Sequence, residues 1–271
     1  MKQDYPGCSE QCIRCQSLGA SSLILEFYIN FMPHCHVRMP PCRSRIKSPS
    51  SPGASSGIGL ALAWLLSRKG ATVILGARSA DKLKQLEHEI PGSLAIATDM
   101  LKLEDIRNLI QQAREKFGRI DILVNNAGQG LCAPVESIDL GDYRAVMELN
   151  VFAVLSAMQA VIPIMRQQGG GMILNVSSVV SKNYFTTIGG YASTKYALNA
   201  LSLTARQELA KDNIVVSVFH PKMTATEFGQ NSRGEKYSSS AGRPGMMVDT
   251  AEAVAGRIVE QIESGGAEAQ M

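Results

Sequence analysis

Tyr191 and Lys195 lie four residues apart in YASTK, and Ser178 sits in the run MILNVSS, thirteen residues before the tyrosine. On a helix, a four-residue spacing puts the phenol and the ammonium on one face. A neighbouring cation favours the phenolate, so Lys195 is expected to lower the pKa of Tyr191 and make it a usable acid or base near neutrality. Ser178 arrives from a strand end before that helix and can donate to the same substrate oxygen. The chemistry implied is proton exchange with an oxygen that gains or loses charge. Alone, Tyr-x-x-x-Lys recurs by chance, and a surface tyrosine beside a solvated lysine is the plain alternative. The surrounding motifs decide between the two.

Those motifs are ordered along the chain. GASSGIG supplies Gly53, Gly57 and Gly59, and an apolar helical pattern, LALAWLLSRKG, follows. Glycines at this spacing let the backbone approach a pyrophosphate, whose charge suits a helix N-terminus. TVILGAR then reads as a strand ending at Arg78, LAIATDM carries Asp99, and DILVNNAG runs into Asn125, Asn126, Ala127 and Gly128. Helices are expected at 57–69, 80–90, 102–117, 139–168 and 190–211, and strands at 72–76, 93–97, 121–125, 172–177 and 214–219. This alternation predicts an α/β fold, a Rossmann-type doubly wound parallel sheet with right-handed crossovers, over residues 53–271. Ligands belong at the carboxyl edge of such a sheet, where Asn125, Ser178 and His220 emerge. Residues 222–248, polar and rich in glycine and serine, read as a lid.

In this order the motifs resemble the short-chain dehydrogenase/reductase family, in its Tyr-Ser-Lys-Asn tetrad branch, over about residues 53 to 264. The resemblance implies an oxidoreductase that interconverts a carbonyl and an alcohol by hydride transfer to or from a nicotinamide cofactor. Tyr191 is then the acid/base, Ser178 polarises the carbonyl, and Lys195 also holds the nicotinamide ribose. Asn150, within LNVFAVL, would hold a water linking Lys195 to solvent; a satisfied core polar group is the ordinary reading of such a residue. Cofactor contacts are implied at Gly53, Ser55, Gly57, Ile58, Gly59, Asn126, Ala127 and Gly128, besides Tyr191 and Lys195. Asp99 matches the adenine contact, with a simple loop carboxylate as the alternative.

HPKMTAT resembles the family's loop over the nicotinamide, giving Pro221, Thr224 and Thr226 as contacts. Lys222 replaces a glycine there and Thr224 an aliphatic residue, so the local loop geometry departs from the pattern. Relatives that prefer NAD carry an acidic residue at the position of Ala77. Alanine removes repulsion of a 2′-phosphate and Arg78 can pair with it, which favours NADP over NAD; a solvated arginine is the alternative. His220 falls outside the tetrad and reads as structural, and Cys132 as a packing residue. Substrate choice falls to the lid and to side chains near Gln129, Val180 and Phe185. Relatives pair through two long helices, which implies a homodimer or homotetramer.

Composition narrows the partners. The formal charge of +3 resides wholly in residues 1–52, which hold six basic and three acidic residues, and the rest of the chain is balanced. A neutral domain argues against nucleic acid. Five of the six cysteines also lie before residue 53, leaving Cys132 in a domain suited to a reducing cytoplasm. The apolar run LILEFYINFM is broken by Glu26 and Asn30 and is too short to span a bilayer. Cys12-x-x-Cys15 with Cys35, Cys42, His34 and His36 raises zinc, but the second pair is spaced unlike common fingers. No metal site is expected, and residues 1–52 read as a cysteine-rich, unstructured leader.

One element is missing. The family places an apolar central strand directly before the glycine loop, where this chain has KSPSSP (Lys47 to Pro52). Two prolines cannot donate to a ladder, so the first central strand is expected to be missing or replaced. Codons for Lys47 to Gly53 (KSPSSPG), shifted by one base, can encode Val-Ala-Leu-Ile-Thr-Gly, so an out-of-frame leader is one explanation. The other is that LILEFYINFM supplies the strand from about twenty residues upstream. An inactive or non-catalytic Rossmann-type protein is the corresponding rival function. After the helical pattern TAEAVAGRIVEQIESGG the few remaining residues, Ala267 to Met271, suggest that an edge strand is lost too.

Overall fold

Successive strand residues face opposite sides of a sheet, and the apolar runs of this chain bury both. Ile74, Leu123, Ile173 and Val216 pack into one core layer, while their neighbours Val73, Leu75, Ile122, Val124, Met172 and Leu174 pack into the other. A strand apolar on both faces belongs inside a parallel sheet covered by helices on each side. The computed structural model describes residues 57–235 and 248–271, together with the backbone of Tyr28–Ile29. Gly53, Ser55, most of the leader and residues 236–247 of the expected lid lie outside the described residues.

In chain order the elements are β1 (Tyr28–Ile29), α1 (Ile58–Arg68), β2 (Val73–Ala77), α2 (Ala80–Glu89), β3 (Leu94–Ala97), α3 (Leu103–Phe117) and β4 (Ile122–Asn125). There follow β5 (Leu131–Cys132), α4 (Leu140–Met147), α5 (Ala153–Gln167), β6 (Gly171–Val176), α6 (Gly189–Leu209) and β7 (Ile214–His220). The chain closes with β8 (Arg233–Gly234), α7 (Ala251–Ser264) and β9 (Glu268–Gln270). The main sheet has the order β3-β2-β1-β4-β6-β7-β9. Its pairings are parallel except at β1, which runs antiparallel to both β2 and β4, with Tyr28 opposite Ile74 and Leu123. Helices α3, α5 and α6 cover one face and α1, α2 and α7 the other. The expected doubly wound α/β fold is therefore present.

The first central strand is replaced, as one of the two expectations had it: Tyr28–Ile29 of the LILEFYINFM run pairs with β2 and β4, in the direction opposite to the other strands. Two expectations are corrected. The edge strand is not lost: Glu268–Gln270 pairs in parallel with Val218–His220. Three residues suffice because the turn before it is pinned, with Arg206 Nη2 donating to Gly265 O at 2.9 Å and Ser217 Oγ to Gly266 O at 2.6 Å. The helix expected over 139–168 is interrupted by a π-helical turn, Glu148–Phe152, between α4 and α5. The span 140–167 is long and apolar enough to cross a membrane by composition. Here Ala153, Val154, Ala157, Met158, Val161 and Met165 are instead buried against the sheet.

Candidate active site

Ser178 stands just beyond β6. The β6–β7 ladder outlasts the strand, with Ser177 N donating to Phe219 O at 2.7 Å and Val179 N to Pro221 O at 3.1 Å. Continuing the ladder, these bonds set Ser177 beside His220 and Ser178 beside Pro221. Ser178 then caps a short 3-10 turn, Val179–Ser181, its Oγ accepting from Val180 N at 3.3 Å. The result is a buried serine whose backbone is held on both sides.

Tyr191 lies in the first turn of α6, with Lys195 one turn on. Lys195 is 3 % exposed, and its Nζ donates to Val176 O at 2.9 Å, two residues before Ser178. The same Nζ is 5.9 Å from the centre of the Tyr191 ring. Burial lowers the Lys195 pKa from 10.5 to about 8, since an ammonium out of water is disfavoured. One cation thus ties the end of β6 to the tyrosine-bearing turn.

Asn150 is the central residue of the π-helical turn, and such turns often mark functional sites. It is fully buried and its side chain makes three hydrogen bonds. Its Oδ1 accepts from Gln129 N at 2.8 Å, and its Nδ2 donates to Gln129 O at 2.9 Å and to Thr194 Oγ1 at 3.0 Å. Thr194 in turn donates to Tyr191 O at 2.7 Å. The tetrad is thereby linked through the backbone: Asn150 holds the NNAG loop and, through Thr194, the turn of α6. Between them runs Gly128, where a Cβ would come within 3.3 Å of Asn150 Oδ1 and 3.5 Å of Lys195 Nζ. Thr194 was invisible in the sequence, because a Tyr-x-x-x-Lys spacing says nothing of the residue between.

On the nucleotide side, α1 opens at Gly57 with no side-chain cap and no acidic residue in its first turn. Among the described residues no side chain caps its first amide groups, which with the positive end of the helix dipole suit an anion. A Cβ on Gly59 would lie 2.8 Å from Asn126 Nδ2, so the glycine loop and the NNAG segment meet there. Arg78 follows β2 and Asp99 follows β3, on the flank of the sheet away from the tetrad. Arg78 is exposed, with no hydrogen bond or ion pair among the described residues. Asp99 Oδ1 accepts from Leu101 N at 3.1 Å, the loop-carboxylate arrangement. Pro221 is buried, Thr224 bridges to Asp249, and Thr226 Oγ1 accepts from Phe228 N at 3.4 Å.

The described part of the lid is docked on this site. Phe228 packs on Tyr191 with ring centres 5.5 Å apart and planes tilted by 55°. Strand β8 pairs with β5, Arg233 Nε donates to Gln129 Oε1 at 2.8 Å, and Arg233 Nη1 meets Asp142 Oδ1 at 2.7 Å. Phe228 and Arg233 were not foreseen, since a polar loop sequence carries no register. Of the residues expected near substrate, Gln129 touches both Asn150 and Arg233, while Phe185 is largely exposed.

The arrangement has known counterparts. Residues 52–236 match the family model for short chain dehydrogenase. An uncharacterized oxidoreductase of Staphylococcus saprophyticus is 37% identical over 179 residues, covering 65% of this chain and 73% of its own. An oxidoreductase of Botryotinia fuckeliana is 33% identical over 197 residues, 70% of this chain and 72% of its own. Among solved structures, an alcohol dehydrogenase from Thermococcus sibiricus complexed with 5-hydroxy-NADP is similar with a TM-score of 0.69 and 27% identity, covering 81% of this chain and 93% of that one. A 7 alpha-hydroxysteroid dehydrogenase complexed with NADH and 7-oxo glycochenodeoxycholic acid reaches a TM-score of 0.72 at 27% identity, covering 81% and 90%. Motif order, sheet order and these likenesses agree: the chain belongs to the short-chain dehydrogenase/reductase family.

Proposed function

We propose that the chain is an NADP-dependent oxidoreductase that interconverts a carbonyl and an alcohol, with Tyr191 as its acid/base. The observation that carries this reading is the buried Lys195 ammonium, one helical turn from Tyr191 and bonded to the strand end that carries Ser178. A cation in a water-poor site favours the phenolate strongly, which lets Tyr191 exchange a proton with a substrate oxygen near neutral pH. Ser178 donates to that oxygen and polarises it. Asn150 keeps the NNAG backbone and the Thr194–Tyr191 turn in register. The bound nicotinamide supplies or accepts the hydride.

The chain fits such a cofactor. The uncapped start of α1 suits a pyrophosphate, and Gly57, Ile58, Gly59, Asn126, Ala127 and Gly128 border the space beside it. The ammonium of Lys195 and Thr226 suit the nicotinamide end, and Asp99 the adenine end. Arg78, exposed after Ala77, suits a 2′-phosphate and supports NADP. Similar structures are complexed with an NADP derivative in one case and with NADH in another, so family alone leaves the choice to this position. Phe152 and Leu201, exposed on the long helical segments, support a homo-oligomer, and a domain with one cysteine suits the cytoplasm.

The test is Tyr191→Phe, assayed with NADPH and NADH against a set of aldehydes, ketones and dicarbonyls that includes isatin. Turnover should fall by about 10²–10⁴-fold, with NADPH binding nearly intact. A variant that keeps more than about a tenth of the rate, or a wild-type chain that binds both cofactors yet reduces no member of the set, would overturn the reading.

A further inference from the structure

A second buried polar cluster converges on Ser178, and the tetrad does not use it. The Ser181 hydroxyl donates to Ser178 O at 2.6 Å and accepts from Asn199 Nδ2 at 2.9 Å, with Ser177 Oγ 3.3 Å away. His220, at the end of the neighbouring strand, places Nδ1 at 3.2 Å from Ser181 Oγ and 3.3 Å from Ser178 O. Its Nε2 lies 2.9 Å from Glu268 Oε1, and Lys182 Nζ lies 2.5 Å from the same oxygen. Ser181 and His220 are 2 % and 1 % exposed.

The Ser181 proton lies on Ser178 O and the Asn199 amide on Ser181 Oγ, and the two ring nitrogens of His220 face oxygens on either side, Ser178 O at Nδ1 and Glu268 Oε1 at Nε2. Such a cluster costs desolvation that apolar side chains would not, and its return is rigidity. Ser178 needs it: the backbone is extended (φ −167°, ψ 154°), and its Oγ is tied to the same turn by the 3.3 Å bond from Val180 N. The orientation of the Ser178 peptide therefore decides where its hydroxyl points.

We propose that Ser181 and His220 are positioning residues for Ser178: they grip its carbonyl against β7, and Glu268 of the edge strand β9 locks the imidazole. This rests on the reading of Ser178 as the group that polarises the substrate carbonyl. It also gives β9 a part in the reaction, because the strand delivers Glu268.

The test is a mutant cycle on the full chain, with NADPH and the member of the carbonyl set that the wild type reduces fastest as probes, and NADPH fluorescence as a separate measure of the folded, cofactor-binding state. Ser181→Ala should lower kcat about five- to tenfold, as loss of one buried hydrogen bond allows, with NADPH affinity unchanged. In a Ser178→Ala background the same change should cost less than about twofold, because there is no hydroxyl left to aim. His220→Phe should behave like Ser181→Ala, whereas His220→Asn, whose amide can stand in for Nδ1, should keep most of the rate. Should His220→Phe fail to fold, Ser181→Ala removes only one oxygen and carries the cycle. Equal losses in both backgrounds, or no loss in either, would overturn the positioning role alone. Full activity in Ser178→Ala by itself would overturn the reading of Ser178 on which the role rests.

Discussion

Lys195 Nζ donates to Val176 O at 2.9 Å while lying 5.9 Å from the centre of the Tyr191 ring, so a single buried cation joins the end of β6 to the first turn of α6. Its placement puts a positive charge beside the phenol ring and fixes strand-to-helix geometry together. It is also costly, because burial opposes the charge that the site needs.

That cost has a pH signature. The Lys195 pKa is about 8 in the folded chain, against the ordinary 10.5 of a lysine in water, so between these values the unfolded chain binds more protons. Stability must then rise with pH through this window, the penalty being complete below about 8 and gone above 10.5. Lys195→Met removes the titration. Its stability relative to wild type should fall by roughly 3 kcal/mol from the low end of the window to the high end, as seen in denaturant melts. Parallel pH profiles for the two chains would show that the ammonium is not held out of water. Turnover should be lost at every pH.

Much of this was legible beforehand, and for a physical reason. Each expected strand and helix flanking the site falls within two residues of its observed bounds, because buried parallel strands and amphipathic helices leave strong local periodicities. Tyr191, Lys195 and Ser178 were legible because their spacings are set by one helix and one strand. Thr194, the π-helical turn at Asn150 and the Arg233–Gln129 contact were not, since each depends on long-range register that no local pattern encodes. The short edge strand was missed for the same reason: its stability comes from Arg206, Ser217 and Gln261 reaching over from other elements.

Cofactor choice is a charge question. If Arg78 meets a 2′-phosphate, Arg78→Ala should weaken NADPH by about ten- to a hundredfold more than NADH, the range expected for hydrogen bonds to a charged group. Fluorescence titration of both cofactors measures it. Equal losses for the two would remove the basis for an NADP preference.

Docking of the lid hangs on Gly234. Its φ is +74°, and a Cβ there would collide with the backbone oxygen of Cys132 in the paired strand. Alanine should therefore strip β8 from β5, at a cost of about 1–2 kcal/mol for the left-handed backbone alone. The amides of Arg233 and Glu235, which donate to Gly130 O and Cys132 O, should lose hydrogen-exchange protection. KM for the member of the carbonyl set that the wild type reduces fastest should rise several-fold while NADPH binding holds, because Phe228 and Arg233 lie beside Tyr191 and Gln129. Retained protection together with an unchanged KM would mean that the pairing does not hold the lid.

The central strand is the deepest test. Tyr28–Ile29 occupies the slot between β2 and β4 in the antiparallel sense, although every other pairing in the main sheet is parallel. Among the described residues only these two pair along that slot, and unpaired buried groups cost about 1–3 kcal/mol each. If KSPSSP is an out-of-frame remnant of a strand, replacing Ser48 to Pro52 with Val-Ala-Leu-Ile-Thr should give a parallel strand that feeds directly into Gly53. That strand would compete with Tyr28–Ile29 for the same neighbours. The repaired chain should therefore melt higher and bind NADPH more tightly, since its strand would hold the glycine loop at the pyrophosphate. Ile29→Pro separates the two sources of the strand. It should lower the melting temperature of the original chain, where Ile29 pairs with Val73 and Ile122, and leave the repaired chain unchanged. An original chain that already melts cooperatively and turns over NADPH as fast as the repaired one would show that the upstream segment is a working substitute, and the repair would then have nothing to correct.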